Sequence, residues 1–160
     1  HRGRKDRAVI DLRPILQAVG MLLSILAATM LIPAAVDLTH GHEESLGFIG
    51  SALITGFAGA LLWISNRGRH QAELNLRQAF LLTALSWISV TVFASLPLAF
   101  GHSRLGYVDA FFETMSGLTT TGATVIVGLD SMPPGLLLWR ALLHGLGGVG
   151  IIVMALALLP

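Results

Sequence analysis

The chain has 160 residues, 54% hydrophobic and 12% charged, with a formal net charge of +1. An ordinary soluble domain carries about 25% charged residues. Half that fraction, with a mean hydropathy of +0.75, excludes a disordered chain, a nucleic-acid binder and most soluble enzymes. Cysteine is absent, which removes disulfides, thiolate metal sites and cysteine nucleophiles.

Four apolar runs follow in chain order. Pro14 to Val36 has only Gln17, Ser24 and Thr29 as polar interruptions. Leu46 to Ile64 and Ala79 to Phe100 carry no charge, and Gly135 to Leu159 is interrupted by Arg140 and His144 near its start. A helix rising ~1.5 Å per residue needs about 20 residues to cross the hydrocarbon core, and all four runs qualify. None alternates as barrel strands do, so helices are predicted. The first run, with its basic start and Pro33-Ala34-Ala35, also resembles a secretory signal. Such apolar cores are only about 7–15 residues long, so it is read as a spanning helix. The chain opens on His1 without an initiator Met, so its start is read as trimmed or as carrying added residues.

Charge predicts the orientation. Arg2, Arg4, Lys5, Arg7 and Arg13 precede the first run, and Arg67, Arg69 and Arg77 lie in the second connection. The first connection has Asp37, Glu43 and Glu44 but no Lys or Arg, and the stretch from Gly101 to Pro134 has only Arg104. Basic connections stay cytoplasmic, which puts the N-terminus and the second connection inside.

Between the third and fourth runs, Tyr107 to Gly117 is long enough for about three helical turns and too short to span. Asp109 is the expected N-cap, with Glu113 near the favourable end of the helix dipole. Leu118-Thr119-Thr120-Thr121-Gly122-Ala123-Thr124-Val125 is poor helix material, so the helix is predicted over 109–117. Pro133-Pro134 closes the segment and opens the last helix. An extended Thr/Gly segment at membrane depth must be buried in protein or line a wet path. Its carbonyls could replace water around a cation, and a half-helix would aim the negative end of its dipole at the same place. An exposed Thr/Gly surface loop has the same composition, and both readings stand at this point.

The run Asp109-Ala110-Phe111-Phe112-Glu113-Thr114-Met115-Ser116-Gly117-Leu118-Thr119-Thr120-Thr121-Gly122-Ala123-Thr124 resembles the first pore segment of the TrkH/TrkG potassium uptake proteins, members of the Trk/Ktr/HKT superfamily. Leu138-Trp139-Arg140-Ala141-Leu142-Leu143-His144-Gly145-Leu146-Gly147-Gly148-Val149-Gly150-Ile151-Ile152-Val153 resembles the helix that follows it. Two helices upstream match the TrkH type better than the shorter KtrB type. The resemblance implies an all-α membrane protein with a potassium-channel-like unit of helix, re-entrant pore helix and filter, and helix. Residues 1–70 would then be a cytoplasmic segment plus two spanning helices, and residues 71–160 the first pore unit. Three further units are expected after Pro160.

What the resemblance implies for function is potassium transport across the bacterial inner membrane, with potassium as the only bound group and no organic cofactor. Rubidium and sodium are the other candidate ions. The implied filter strand is Thr120, Thr121, Gly122, Ala123 and Thr124, with Gly122 as the filter glycine and potassium held at Thr120, Thr121 and Gly122. The implied partners are the lipid bilayer, a second copy of the full-length chain and a cytoplasmic nucleotide-binding regulatory subunit, with no nucleic acid. The alternative is a structural membrane scaffold with an inert Thr/Gly loop.

Arg140 either snorkels to the interface or pairs with Glu113 or Asp109. The pairing, with Asp109, Glu113 and Arg140 supporting the filter, is preferred. A fixed cation in the path would repel potassium, so Arg140 is not an ion ligand. Gly47, Gly50, Gly56 and Gly59 in the second helix, and Gly145, Gly147, Gly148 and Gly150 in the last, read as close helix packing. His40, His42, Glu43 and Glu44 read as solvated loop residues before a divalent site, and His144 as a packing residue. Trp63, Trp87, Tyr107 and Trp139 read as interface or packing aromatics. No Gly-rich nucleotide loop, catalytic triad spacing or helical zinc motif is present, so an enzyme is not expected.

Overall fold

The computed structural model describes residues 11–41, 45–68, 76–101 and 105–158. Among the described residues six helices follow in order: α1 (Arg13–Thr39), α2 (Ser45–Ser65), α3 (Leu76–Ala94), α4 (Leu96–Phe100), α5 (Tyr107–Leu118) and α6 (Pro134–Leu158). One 3-10 turn lies at Leu129–Ser131, and there is no strand among the described residues. Four spans are long and apolar enough to cross a membrane: Arg13–Thr39, Ser45–Ser65, Leu76–Phe100 and Pro134–Leu156. They coincide with the four apolar runs. Most of the basic N-terminal segment, with Arg2, Arg4, Lys5 and Arg7, lies outside the described residues, as do Arg69, Arg104 and the cluster His42, Glu43 and Glu44.

Helix α1 is the hub. Ile15, Val19, Leu23, Leu26, Met30 and Ala34 are buried along it, and their spacing of three and four residues traces one helical face. It packs against α2, α3 and α6. Where α1 meets α2, Gly20 and Gly59 bring the backbones together. A Cβ at Gly20 would stand 2.6 Å from the Trp63 nitrogen and 2.8 Å from the Gly59 carbonyl oxygen, a small-residue crossing of the kind membrane helices use.

Two long-range bonds show which helix ends lie together. Gln78 Nε2 at the start of α3 donates to the Asp11 carbonyl before α1, at 3.0 Å. The Gly135 amide at the start of α6 donates to Asp37 Oδ1 near the end of α1, at 2.7 Å. The starts of α1 and α3 thus share one end of the bundle, and the end of α1 meets the start of α6 at the other. This is the alternation that the basic connections predict.

Three details differ from expectation. The third run is interrupted at Ser95, because Pro97 has no N–H to donate back into the helix. Asp37, expected in the first connection, lies within α1 and is fully buried. Gly50, Gly145 and Gly150 meet nothing within 4 Å, so these three do not pack within the described residues, whereas Gly59 and Gly147 do.

Candidate functional site

Helix α5 begins two residues before the predicted start and ends one after it. Its first bond runs from the Ala110 amide to the Gly106 carbonyl, at 2.9 Å. That makes Gly106 the cap and leaves Asp109 inside the first turn, with no side-chain cap. Asp109 is therefore not the N-cap. It is exposed and still sits where the helix dipole favours an acid.

The other end of α5 closes by a motif the sequence does not advertise. The Thr120 amide donates to the Gly117 carbonyl at 3.0 Å and the Thr121 amide to the Ser116 carbonyl at 2.9 Å. These paired bonds form a Schellman C-cap, whose left-handed position glycine usually fills. Here Thr120 fills it, with φ +58°. A β-branched residue in that region costs about 1–2 kcal/mol. Gly122, two residues on, has φ +76° and carries no such cost.

Thr120, Thr121, Gly122, Ala123 and Thr124 are all exposed. This segment is fastened to α5 at its C-terminal end. Ser116 Oγ donates to the Ala123 carbonyl at 2.7 Å, turning that carbonyl toward α5. Glu113 Oε1 accepts from Thr124 Oγ1 and from the Val125 amide, each at 2.5 Å, and from the Ile126 amide at 3.2 Å. Glu113 Oε2 is ion-paired with Arg140 Nη1. The Glu113 side chain is wholly buried and that of Arg140 is partly exposed. A buried carboxylate is tolerated when its charge is paired and its lone pairs are filled, and Glu113 meets both conditions. Of the two acids considered for Arg140, the structure pairs it with Glu113.

Helix α6 sets the depth of the strand. Gly147 packs directly on the Leu118 backbone, Gly148 lies under Thr120, and His144 lies beside Gly122. At ~1.5 Å per residue, His144 and Gly148 sit about 15 Å and 21 Å along α6 from Pro134, half or more of the thickness of a hydrocarbon core of about 30 Å. The chain thus runs along α5 to Leu118, turns beside the middle of α6 and returns to Pro134, the end of α6 from which it started. The Arg140 carbonyl accepts from His144 Nδ1 at 2.8 Å, which leaves Nε2 facing the strand. Helix α6 is anchored sideways by Trp139, fully buried, whose Nε1 donates to the Ala94 carbonyl at 3.1 Å. Trp139 is a packing aromatic, edge-on to Phe48.

Sequence reasoning missed Ser116 and Asp37. The signal for Ser116 was its place one turn after a buried acid and just before a segment that must turn. The signal for Asp37 was the pair Pro133-Pro134, which cannot cap its own helix. His40 Nδ1 bonds back to the Val36 carbonyl at 2.9 Å. Among the described residues, no group of three or more His, Asp or Glu is placed to hold a metal.

Residues 45–160 match the family model of the TrkH cation transport proteins. The chain is 43% identical over 152 residues to the Trk system potassium uptake protein TrkH of Vibrio parahaemolyticus, covering 94% of this chain and 31% of that protein. It is 42% identical over 149 residues to the Escherichia coli protein of the same name, covering 92% and 31%. The crystal structure of the potassium transporter TrkH from Vibrio parahaemolyticus superposes with a TM-score of 0.88 at 43% identity, over 94% of this chain and 32% of that one. The chain spans about a third of the length of the relatives it matches.

Proposed function

The chain belongs to the TrkH family of cation transport proteins, and from that premise we propose that it supplies one strand of a potassium-conducting filter in the bacterial inner membrane. The observation that carries this reading is the segment Thr120 to Thr124, exposed beside the middle of α6 and fastened from behind by Glu113 and Ser116. Carbonyls of Thr120, Thr121 and Gly122 face the ion and replace part of its water shell. Left-handed backbone at Thr120 and Gly122 alternates with residues that are not left-handed, which turns successive carbonyls to one side. Ala123 and Thr124 complete the strand and tie it to α5. The C-terminal end of α5 adds the negative end of its dipole.

Glu113 and Arg140 hold the strand without touching the ion. Because their charges cancel locally, the path gains stiffness without a fixed positive charge. Asp109 contributes only through the field at the start of α5. One strand gives about a quarter of the carbonyl ring a dehydrated cation needs. Three further units of the longer protein complete it. The N-terminus is cytoplasmic. The full-length protein works as a homodimer with a cytoplasmic nucleotide-binding regulatory subunit.

The test is rubidium uptake by cells lacking their own potassium uptake, expressing the full-length gene with and without Gly122→Asp at matched membrane levels. Aspartate at φ +76° strains the turn and puts a carboxylate in the path, so uptake falls at least about tenfold. Uptake unchanged by that substitution sinks the filter reading and leaves an inert Thr/Gly loop.

A further inference from the structure

Helix α6 cannot cap its own beginning. Pro133 and Pro134 have no N–H and no polar side chain, and the Leu136 and Leu137 amides turn back to the Pro133 carbonyl at 3.1 and 3.2 Å. The one orphan donor of the first turn is the Gly135 amide. It is met by Asp37 Oδ1 at 2.7 Å, from 98 residues earlier in the chain. Asp37 is fully buried, and its Oδ2 has no partner among the described residues. Room for the carboxylate exists only because residue 135 lacks a side chain: a Cβ there would overlap both carboxylate oxygens. A buried acid is thus placed on the positive end of the helix that carries Arg140, five residues further on.

We propose that Asp37 is a positioning residue for ion passage, fixing the height of α6 so that Arg140 meets Glu113 and the filter strand keeps its shape. The inference rests on the filter reading above. The linkage is continuous: Asp37 holds the Gly135 amide, α6 carries Arg140, Arg140 pairs with Glu113, and Glu113 holds Thr124, Val125 and Ile126. A shift of α6 along its axis reaches the strand without any change in the strand's own residues.

The experiment uses the full-length protein in cells lacking their own potassium uptake. It measures rubidium uptake per molecule in the membrane and the preference for rubidium over sodium. Asp37→Ala lowers uptake about tenfold, the size of one lost charged hydrogen bond, and narrows the ion preference. Asp37→Asn keeps an acceptor for the Gly135 amide and retains most of both. Gly135→Ala behaves like Asp37→Ala, because its methyl displaces the carboxylate. The double variant Asp37→Ala, Gly135→Ala is no worse than either single one, since removing the carboxylate makes room for the methyl.

Unchanged uptake per molecule and unchanged ion preference in Asp37→Ala overturn the proposal, as does Asp37→Asn matching Asp37→Ala. If Asp37→Ala does not reach the membrane, Asp37→Asn and Gly135→Ala decide by the same two readouts. Gly122→Asp is run beside them: uptake unaffected by that variant removes the filter reading itself, whereas its loss with Asp37→Ala unaffected removes Asp37 alone.

Discussion

Glu113 is 3% exposed and satisfies Thr124, Val125, Ile126 and Arg140 with two oxygens. Removing one partner of such a pair strands the other charge, which costs about 3–5 kcal/mol. Glu113→Ala and Arg140→Ala are therefore each expected to lower the thermal midpoint of the purified protein and to abolish rubidium uptake. The double variant Glu113→Gln, Arg140→Gln leaves no buried charge and is expected to lose clearly less stability than the sum of the single ones. Additive losses in a thermal melt would show that the two do not act as a pair. Thr120 poses the opposite case. Its φ of +58° is a strain that Thr120→Gly relieves, so the variant is expected to be as stable as the parent or up to about 1 kcal/mol more stable. Its uptake falls, because glycine no longer holds the strand in one conformation. A clear drop in thermal midpoint would contradict the strain.

At the scale of elements, the crossing of α5 and α6 decides where the strand sits. Gly147 lies so close to the Leu118 backbone that a side chain there has no space. Gly147→Ala must push α5 outward, at a cost of about 1–3 kcal/mol. Gly145, two residues earlier, has nothing within 4 Å. Gly145→Ala gains helix propensity and is expected to be neutral or stabilising. Folded yield in detergent, measured for both, separates packing from propensity: equal behaviour of the two variants would refute the crossing. Trp139 acts on the same helix from the side. Trp139→Phe keeps most of the apolar volume but leaves the Ala94 carbonyl without its indole donor, a loss of about 1 kcal/mol that the same melt would register.

At the scale of the whole molecule, the ends of the bundle are fixed by the bonds from Gln78 to Asp11 and from Gly135 to Asp37. Together with the basic connections, they predict that His40 faces outward and Ser65 inward. These 160 residues contain no cysteine, so a cysteine introduced here is the one thiol this segment carries. In intact cells, His40→Cys is expected to react with an impermeant maleimide, and Ser65→Cys only after the membrane is opened. The reverse pattern would invert the topology.

The sequence by itself determined the four spans, the half-length helix, the place where that helix must end and the family, because each is written in local composition: apolar length, Thr/Gly interruption, proline pairs and a specific motif. Run length found the spans to within a few residues. Hydropathy did not find the break at Ser95, since Pro97 is apolar. Nor did it identify Gly106 rather than Asp109 as the cap of α5, because a glycine cap leaves no side-chain signature. Only the tertiary structure decided which acid meets Arg140, that Ser116 turns the Ala123 carbonyl, that some helix glycines pack and others do not, and that Asp37 is buried. Each depends on atoms far apart in sequence brought within hydrogen-bond reach. A buried charge is settled by its partner's position across the bundle, and neither composition nor spacing contains that distance.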